Sequence, residues 1–160
     1  MSAYVVRMCS AVAVALVLGW SAPTISRVAD EDGIVRVKSA YPLAETVARL
    51  KKDIAQKGIR FFDEIDQSKL AADAGIPLRP STLLVFGNPP LGTLFLTSNP
   101  AAGLDWPVRL LVIEDEHAQV WTLYTDFGWI AHRHGIRDRD AAFNMATGVI
   151  ASITASVQAK

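Results

Sequence analysis

Residues 81–98 read STLLVFGNPPLGTLFLTS, and the interpretation of this stretch decides the predicted fold. Two apolar runs flank the central FGNPPLGT, and each has the length and composition of a strand, which predicts strands over Thr82–Phe86 and Thr93–Thr97. The two consecutive prolines between them lack backbone N–H donors and have a fixed φ, so the connection is expected to be stiff and unpaired. This pattern predicts a rigid corner between two strands, with Asn88 either capping the turn or facing a ligand cleft.

The segments on either side of this stretch show both helical and strand patterns. Leu43, Val47, Leu50 and Ile54 follow Pro42 at helical spacing, and Asp66 has the position of an N-cap before a short helix. Further strands are predicted over Ile34–Ala40, Ile59–Ile65, Val108–Glu114 and Val120–Thr125, and further helices over residues 127–135 and from residue 138 onward. The predicted order is β-α-β-α-β-β-β-β-α-α, an α+β fold with a mostly antiparallel sheet and helices packed on one face.

The N-terminal segment has the pattern of a secretory signal. Arg7 precedes a predominantly apolar run from Met8 to Trp20, small and polar residues follow, and the first acidic residue is Asp30. The run is too short for a comfortable membrane span of about 20 residues. We therefore expect residues 1–29 to be an export segment and residues 30–160 to be one periplasmic or secreted domain, with no stable membrane span after processing.

Composition excludes several classes of function. The chain has 16 basic and 16 acidic residues, and this neutral balance argues against a nucleic-acid partner, which requires a basic surface. The one cysteine, Cys9, lies in the export segment, so the exported domain is expected to contain no disulfide, no thiolate metal ligand and no cysteine nucleophile. No dinucleotide, phosphate-loop or zinc-protease motif is present, and neither a cofactor nor a metal is predicted.

The histidines and acidic clusters are the obvious candidates for acid–base chemistry. His132 and His134 are two residues apart, a spacing that separates their side chains on a helix, and His134 next to a glycine is also suited to a helix C-terminus. His117 lies in a charged turn. The carboxylate clusters at residues 63–66 and 114–116 lie at strand ends, where solvation and capping explain them better than catalysis does.

Arg109 is the most informative charged residue because it interrupts an apolar strand in GLDWPVRLLVIED. A guanidinium in that position must face solvent or find a partner, since an unpaired buried charge is very costly. Asp105, Asp66 and Asp126 are the candidate partners of a structural ion pair. The alternative is an arginine that faces a cleft and holds an anionic ligand.

Four segments follow one another along the chain: IDQSKLAADAG, LRPSTLLVFGNPPLGTLF, GLDWPVRLLVIED and YTDFGWIAHRHGI. In this order they resemble the family called domain of unknown function 302. The resemblance covers about residues 35–157 and implies a small α+β domain that tends to form homodimers, with no established activity. The polar positions that match the family pattern are Asp66, Asn88, Asp105, Arg109, Arg133 and His134. Gln67 replaces the histidine that the family usually has at that position, and glutamine neither titrates nor binds metals well.

Three functional hypotheses follow from these residues. The first is a non-catalytic, exported domain that dimerises and binds a small, anionic ligand in a cleft lined by Asp66, Gln67, Asn88, Asp105, Arg109, Arg133 and His134. The second is an enzyme, for example a hydrolase, in which His134 is a general base oriented by Asp105 or Asp66. The third is a partner-binding module in which the polar cluster has only a structural role.

Overall fold

The computed structural model describes residues 32–159, and the predicted export segment lies outside this range. Within it, five strands span Ile34–Lys38 (β1), Arg60–Asp66 (β2), Ser81–Gly87 (β3), Val108–Glu114 (β4) and Val120–Thr125 (β5). Five α-helices span Leu43–Gln56 (α1), Gln67–Asp73 (α2), Pro89–Ser98 (α3), Phe127–Arg133 (α4) and Asp140–Ala155 (α5), and a 3₁₀ helix spans Pro100–Leu104.

The strands form one sheet in the order β1-β5-β4-β3-β2, and all four neighbouring pairs are antiparallel. β1 and β2 are therefore at opposite edges, although they are the first two strands of the chain. The α+β class and the mostly antiparallel sheet are confirmed. In the described residues, no helix has both the length and the apolarity that crossing a bilayer requires.

One face of the sheet carries the core. Alternate residues such as Leu84, Leu110 and Val112 are fully buried there, as strand periodicity requires. They pack against α1 and α5, whose Leu50 and Ile153 are also fully buried. Each such side chain stabilises the fold by about 1.5–3 kcal/mol relative to exposure. The expected packing of helices on one face thus follows from the alternation of the strands.

The predicted strand over Thr93–Thr97 is wrong, because this segment belongs to helix α3. The side-chain oxygen of Asn88 accepts a hydrogen bond from the backbone N–H of Leu91, which makes Asn88 the N-cap. The two prolines occupy the first helical positions, where no N–H is needed. β3 and β4 are neighbours in the sheet, but they are joined through α3 and the 3₁₀ helix and not through a hairpin.

Candidate functional site

Four of the predicted site residues meet at one end of the sheet. Asp105 ends the 3₁₀ helix just before β4, and Arg109 is the second residue of β4. Arg133 is the last residue of α4 and His134 is its C-cap. The chain thus brings together residues from two segments that are 28 positions apart in sequence. We call Asp105, Arg109, Arg133 and His134 the Asp105 cluster.

The carboxylate of Asp105 is the centre of the cluster. One oxygen lies 2.6 Å from Nε2 of His134, and Arg133 donates to the same oxygen at 3.2 Å. Arg109 donates to the other oxygen at 3.2 Å, which identifies Asp105 as its partner among the three candidates. Because an ionised carboxylate only accepts hydrogen bonds, the proton shared with His134 is assigned to Nε2.

Burial differs sharply within the cluster. The side chains of Asp105 and His134 are 3% and 6% exposed, whereas those of Arg109 and Arg133 are 52% and 46% exposed. The carboxylate and the imidazole therefore form a buried pair, and the two guanidinium groups lie above them at the surface. A guanidinium has five N–H donors, so both arginines keep donors that the carboxylate does not use.

Neighbouring groups hold these side chains in place. Arg109 also donates to the backbone oxygen of Leu104 at 2.7 Å. The Arg133 guanidinium lies 5.4 Å from the ring centroid of Trp129, a cation–π distance. The side-chain amide of Asn99 donates to the backbone oxygen of His134 at 2.8 Å, which satisfies a carbonyl at the end of α4.

Asp66 and Gln67 are not part of this cluster. Asp66 pairs with Thr82 on β3, and Arg109 pairs with Val85 of the same strand. Asp66 and Arg109 are separated by three residues along the strand direction and by two strand spacings across the sheet. Their backbones therefore lie about 14 Å apart. Asp66 is instead the N-cap of α2, and the side chain of Gln67 accepts a hydrogen bond from the Ser81 hydroxyl.

Two acidic residues at strand ends have a lowered pKa with a structural cause. The Ser68 hydroxyl and then the Lys69 N–H stabilise the ionised form of Asp66 and lower its pKa. The pKa of Asp115 is lowered chiefly by the backbone N–H of Gln119, which crosses the turn between β4 and β5. These contacts agree with the capping role expected for both acidic clusters.

The remaining candidates lie apart from one another. His117 is in the turn between β4 and β5, 3.7 Å from Glu116, and His132 is exposed on α4. No group of three or more metal-ligating side chains occurs among residues 32–159. Asn88 lies at the same end of the sheet as Asp105, but it caps α3 and borders a separate cavity beneath Trp106.

The sequence and the fold both match known proteins. A family model described as "Domain of unknown function DUF302" matches residues 35–153. The chain belongs to this family. The crystal structure of an uncharacterized conserved DUF302 protein from Bacillus stearothermophilus has the same fold, with a TM-score of 0.72 at 15% identity, and the match covers 79% of this chain and 98% of that one.

Curated relatives of this DUF302 chain bear a different description. Proteins named "Fluoride-specific ion channel FluC 1" from Brucella suis and from Brucella abortus are each 36% identical to it over 120 residues. The match covers 74% of this chain but only 47% and 44% of those proteins. The chain therefore spans about half the length of the curated relatives that it matches.

Sequence reasoning missed the contribution of Trp106 to this end of the DUF302 fold. The indole lies against Gly87 and Gly92, and it contacts Phe62 edge-on with ring centroids 6.3 Å apart. The signal in the sequence is Gly92 in PPLGT. If this segment is a helix, a glycine inside it indicates that another group approaches the helix closely.

Proposed function

We propose that this protein is an exported, non-catalytic domain that binds a small anion at the Asp105 cluster. The observation that carries the proposal is the pair of half-exposed guanidinium groups of Arg109 and Arg133 on one buried carboxylate. A shared counter-ion holds both cations in place, so little conformational entropy is lost when an anion binds. Asp66, Gln67 and Asn88, which were predicted to line the same cleft, are left out of this site.

The charge balance of the cluster favours an anion. Two guanidinium groups and one carboxylate leave a net charge of about +1 when His134 is neutral. The Asp105 oxygens accept from three side chains, while the arginines retain donors that these contacts do not use. A carboxylate, a phosphate or a halide supplies the missing acceptors, and planar oxyanions suit the fork of an arginine best.

The contact between His134 and Asp105 favours a second candidate, an enzyme with His134 as general base. At 2.6 Å, Asp105 has the position of a group that orients the imidazole. The imidazole side chain is only 6% exposed, however, so its other nitrogen is poorly accessible to a substrate. Asp66 lies too far away to serve as the alternative orienting group. We therefore rank anion binding above catalysis.

The direct test is to titrate the purified protein with fluoride, chloride, phosphate, acetate and succinate and to follow its thermal stability. Fluoride is included because the Brucella relatives are named fluoride channels. A ligand at one hundred times its Kd stabilises the folded state by about 2.7 kcal/mol. Arg109→Ala is expected to abolish the stabilisation by the anion that binds.

Arg49→Ala is the matched control for that titration. Arg49 is 43% exposed and paired with Glu45, but it lies on α1. The Arg49→Ala variant should therefore show the same thermal stabilisation by the anion as the wild type. If no anion stabilises the protein, or if both variants lose the response equally, anion binding at the Asp105 cluster is refuted.

Hydrolysis of a generic ester that disappears in His134→Gln would favour the enzyme instead.

We also propose that the protein is a homodimer that uses the face of the sheet opposite the core. Leu83, Leu111 and Leu123 alternate with the buried strand residues and are only partly buried. A depression of about 210 Å³ between Ile113 and Leu123 lies on the same face. We call this surface the open face. A two-fold axis through it would bury the same apolar patch on both copies.

Export is proposed from the composition of residues 1–29 alone. The test is a fusion of this segment to a reporter enzyme that is active only outside the cytoplasm. Reporter activity is expected with the native segment and should be lost when charged residues interrupt the apolar run. Activity that persists with the interrupted run would contradict the proposal.

A further inference from the structure

A second pocket lies beneath Trp106, separate from the Asp105 cluster. It is an apolar cavity of about 40 Å³ between the end of β3, α3 and α5. The residues that line it are mainly aliphatic and aromatic, and they include Phe86, Leu91, Phe95, Trp106, Val149 and Ile150. Because a group about the size of a water molecule needs 10–15 Å³ of such volume, the cavity has room for about three such groups.

The cavity adjoins an open groove of about 460 Å³ on the surface between α3 and α5. The cavity and the groove share four lining residues, Ile59, Asn88, Leu91 and Val149. The cavity is therefore the inner end of the groove. Gly148 lies on the groove wall, and a Cβ added there would meet no atom within 4 Å. A chain-like molecule can therefore lie in the groove with one end in the cavity.

Two side chains that line this cavity, Trp106 and Asn88, carry N–H donors. Among the hydrogen bonds of residues 32–159, none uses the indole N–H of Trp106 or the side-chain amide nitrogen of Asn88. The indole nitrogen lies against Gly87 and Gly92, which both line the cavity. An apolar pocket with a small number of polar groups at its edge is typical of a small-molecule site.

We propose that this pocket binds a short-chain acyl compound. Its alkyl end, about three carbons long, fills the apolar cavity, and the rest of the chain lies in the groove. The acyl oxygen accepts a hydrogen bond from Asn88, which lines both the cavity and the groove, and the alkyl end lies against the indole of Trp106. The proposal is independent of anion binding at the Asp105 cluster, because the two pockets use different polar residues.

The test is to titrate the full chain with acetate, butyrate and hexanoate and to follow the indole N–H signal of Trp106 by NMR. The signal is assigned with Trp106→Phe. Burial of each additional methylene should strengthen binding about fourfold, until the cavity is full. The Trp106 signal should shift with butyrate and hexanoate, and this response should persist in Arg109→Ala.

Two variants separate this pocket from other binding modes. Gly148→Phe places a ring in the groove and should weaken hexanoate binding at least tenfold, while Asn144→Phe, at an exposed position of α5 outside the groove, should not. Asn88→Asp keeps the cap but removes the donor and adds a negative charge, so it should also weaken binding. Affinity that is independent of chain length, or equal in Gly148→Phe and Asn144→Phe, overturns the proposal.

Discussion

Asp105 is the residue on which the polar end of this fold depends, because it accepts hydrogen bonds from three side chains while itself almost fully buried. Its removal would leave the buried imidazole of His134 without a partner and would bring two guanidinium groups together without a counter-ion. The two arginines are half exposed, so solvent screens part of their mutual repulsion. The main cost therefore falls on the buried pair.

We expect Asp105→Asn to lower the free energy of unfolding by about 1–3 kcal/mol, the range for losing charged hydrogen bonds at a buried site. Urea denaturation measures this change. Asp73→Asn is the control, since Asp73 forms an exposed ion pair with Lys69 on α2. Equal stability of the two variants would contradict a central role for Asp105.

Asp115 gives a prediction about pH. Its pKa is lowered in the folded state, first by the hydrogen bond from the Gln119 N–H and also by the Trp121 indole N–H. A carboxyl group with a lowered folded pKa stabilises the protein above its unfolded pKa, and this contribution is lost as the pH falls through the folded pKa. The stability gap between wild type and Asp115→Asn should therefore be full at pH 7 and should shrink below about pH 4.

Thermal denaturation of both proteins between pH 7 and pH 2 measures this gap. Glu116→Gln, in the same turn, serves as the control, because the Glu116 side chain is highly exposed and lies 3.7 Å from His117. A gap between wild type and Asp115→Asn that stays constant with pH would exclude the contribution of the charged form of Asp115.

At the scale of single elements, helix α3 shows where sequence interpretation failed. The run LGTLFLTS is short and has no clear polar face, so its periodicity does not distinguish a buried strand from a helix. Asn88 and the two prolines have the positions of an N-cap and the first helical turn, but the same residues also fit the stiff corner that the sequence predicts. The tertiary reason for a helix is that Phe95 stacks on Phe143 of α5, with ring centroids 4.1 Å apart.

Gly92 allows α3 to approach Trp106. A Cβ at this position would overlap the indole nitrogen, so Gly92→Ala should displace the indole or the helix and destabilise the protein by about 1–3 kcal/mol. Gly148→Ala, the same change in α5, meets open space and should stabilise by about 0.5–1 kcal/mol. Chemical denaturation compares the two, and a loss of the same size in both would show that the indole contact is not the cause.

At the scale of the whole molecule, the helices of residues 32–159 cover one face of the sheet and leave the other face open. If two copies associate through this open face, a charge at its centre should prevent association, because an unpaired charge is costly to bury. We expect Leu111→Lys to be monomeric by analytical ultracentrifugation at concentrations where the wild type is dimeric. Leu78→Lys is the control at an exposed position outside the strands. A monomeric wild type would overturn the dimer proposal.

The candidate site was only partly predictable from the sequence. Arg109 required a partner because it interrupts an apolar strand, and Asp105 was among the candidates for that reason. The family resemblance added Arg133 and His134, but it also grouped them with Asp66. The distance between Asp66 and Arg109 depends on β3 separating β2 from β4, and that strand order cannot be obtained from local patterns.

The sequence by itself determined the α+β class, four of the five helices and all five strands, because their periodicities, caps and glycine ends are local properties. Only the tertiary structure decided that residues 89–98 form a helix, that β1 and β2 lie at opposite edges, and that Asp105 joins β4 to the end of α4. The physical reason is the same in each case. These features depend on which distant residues pack together, and a short apolar or charged segment has no local property that specifies its partner.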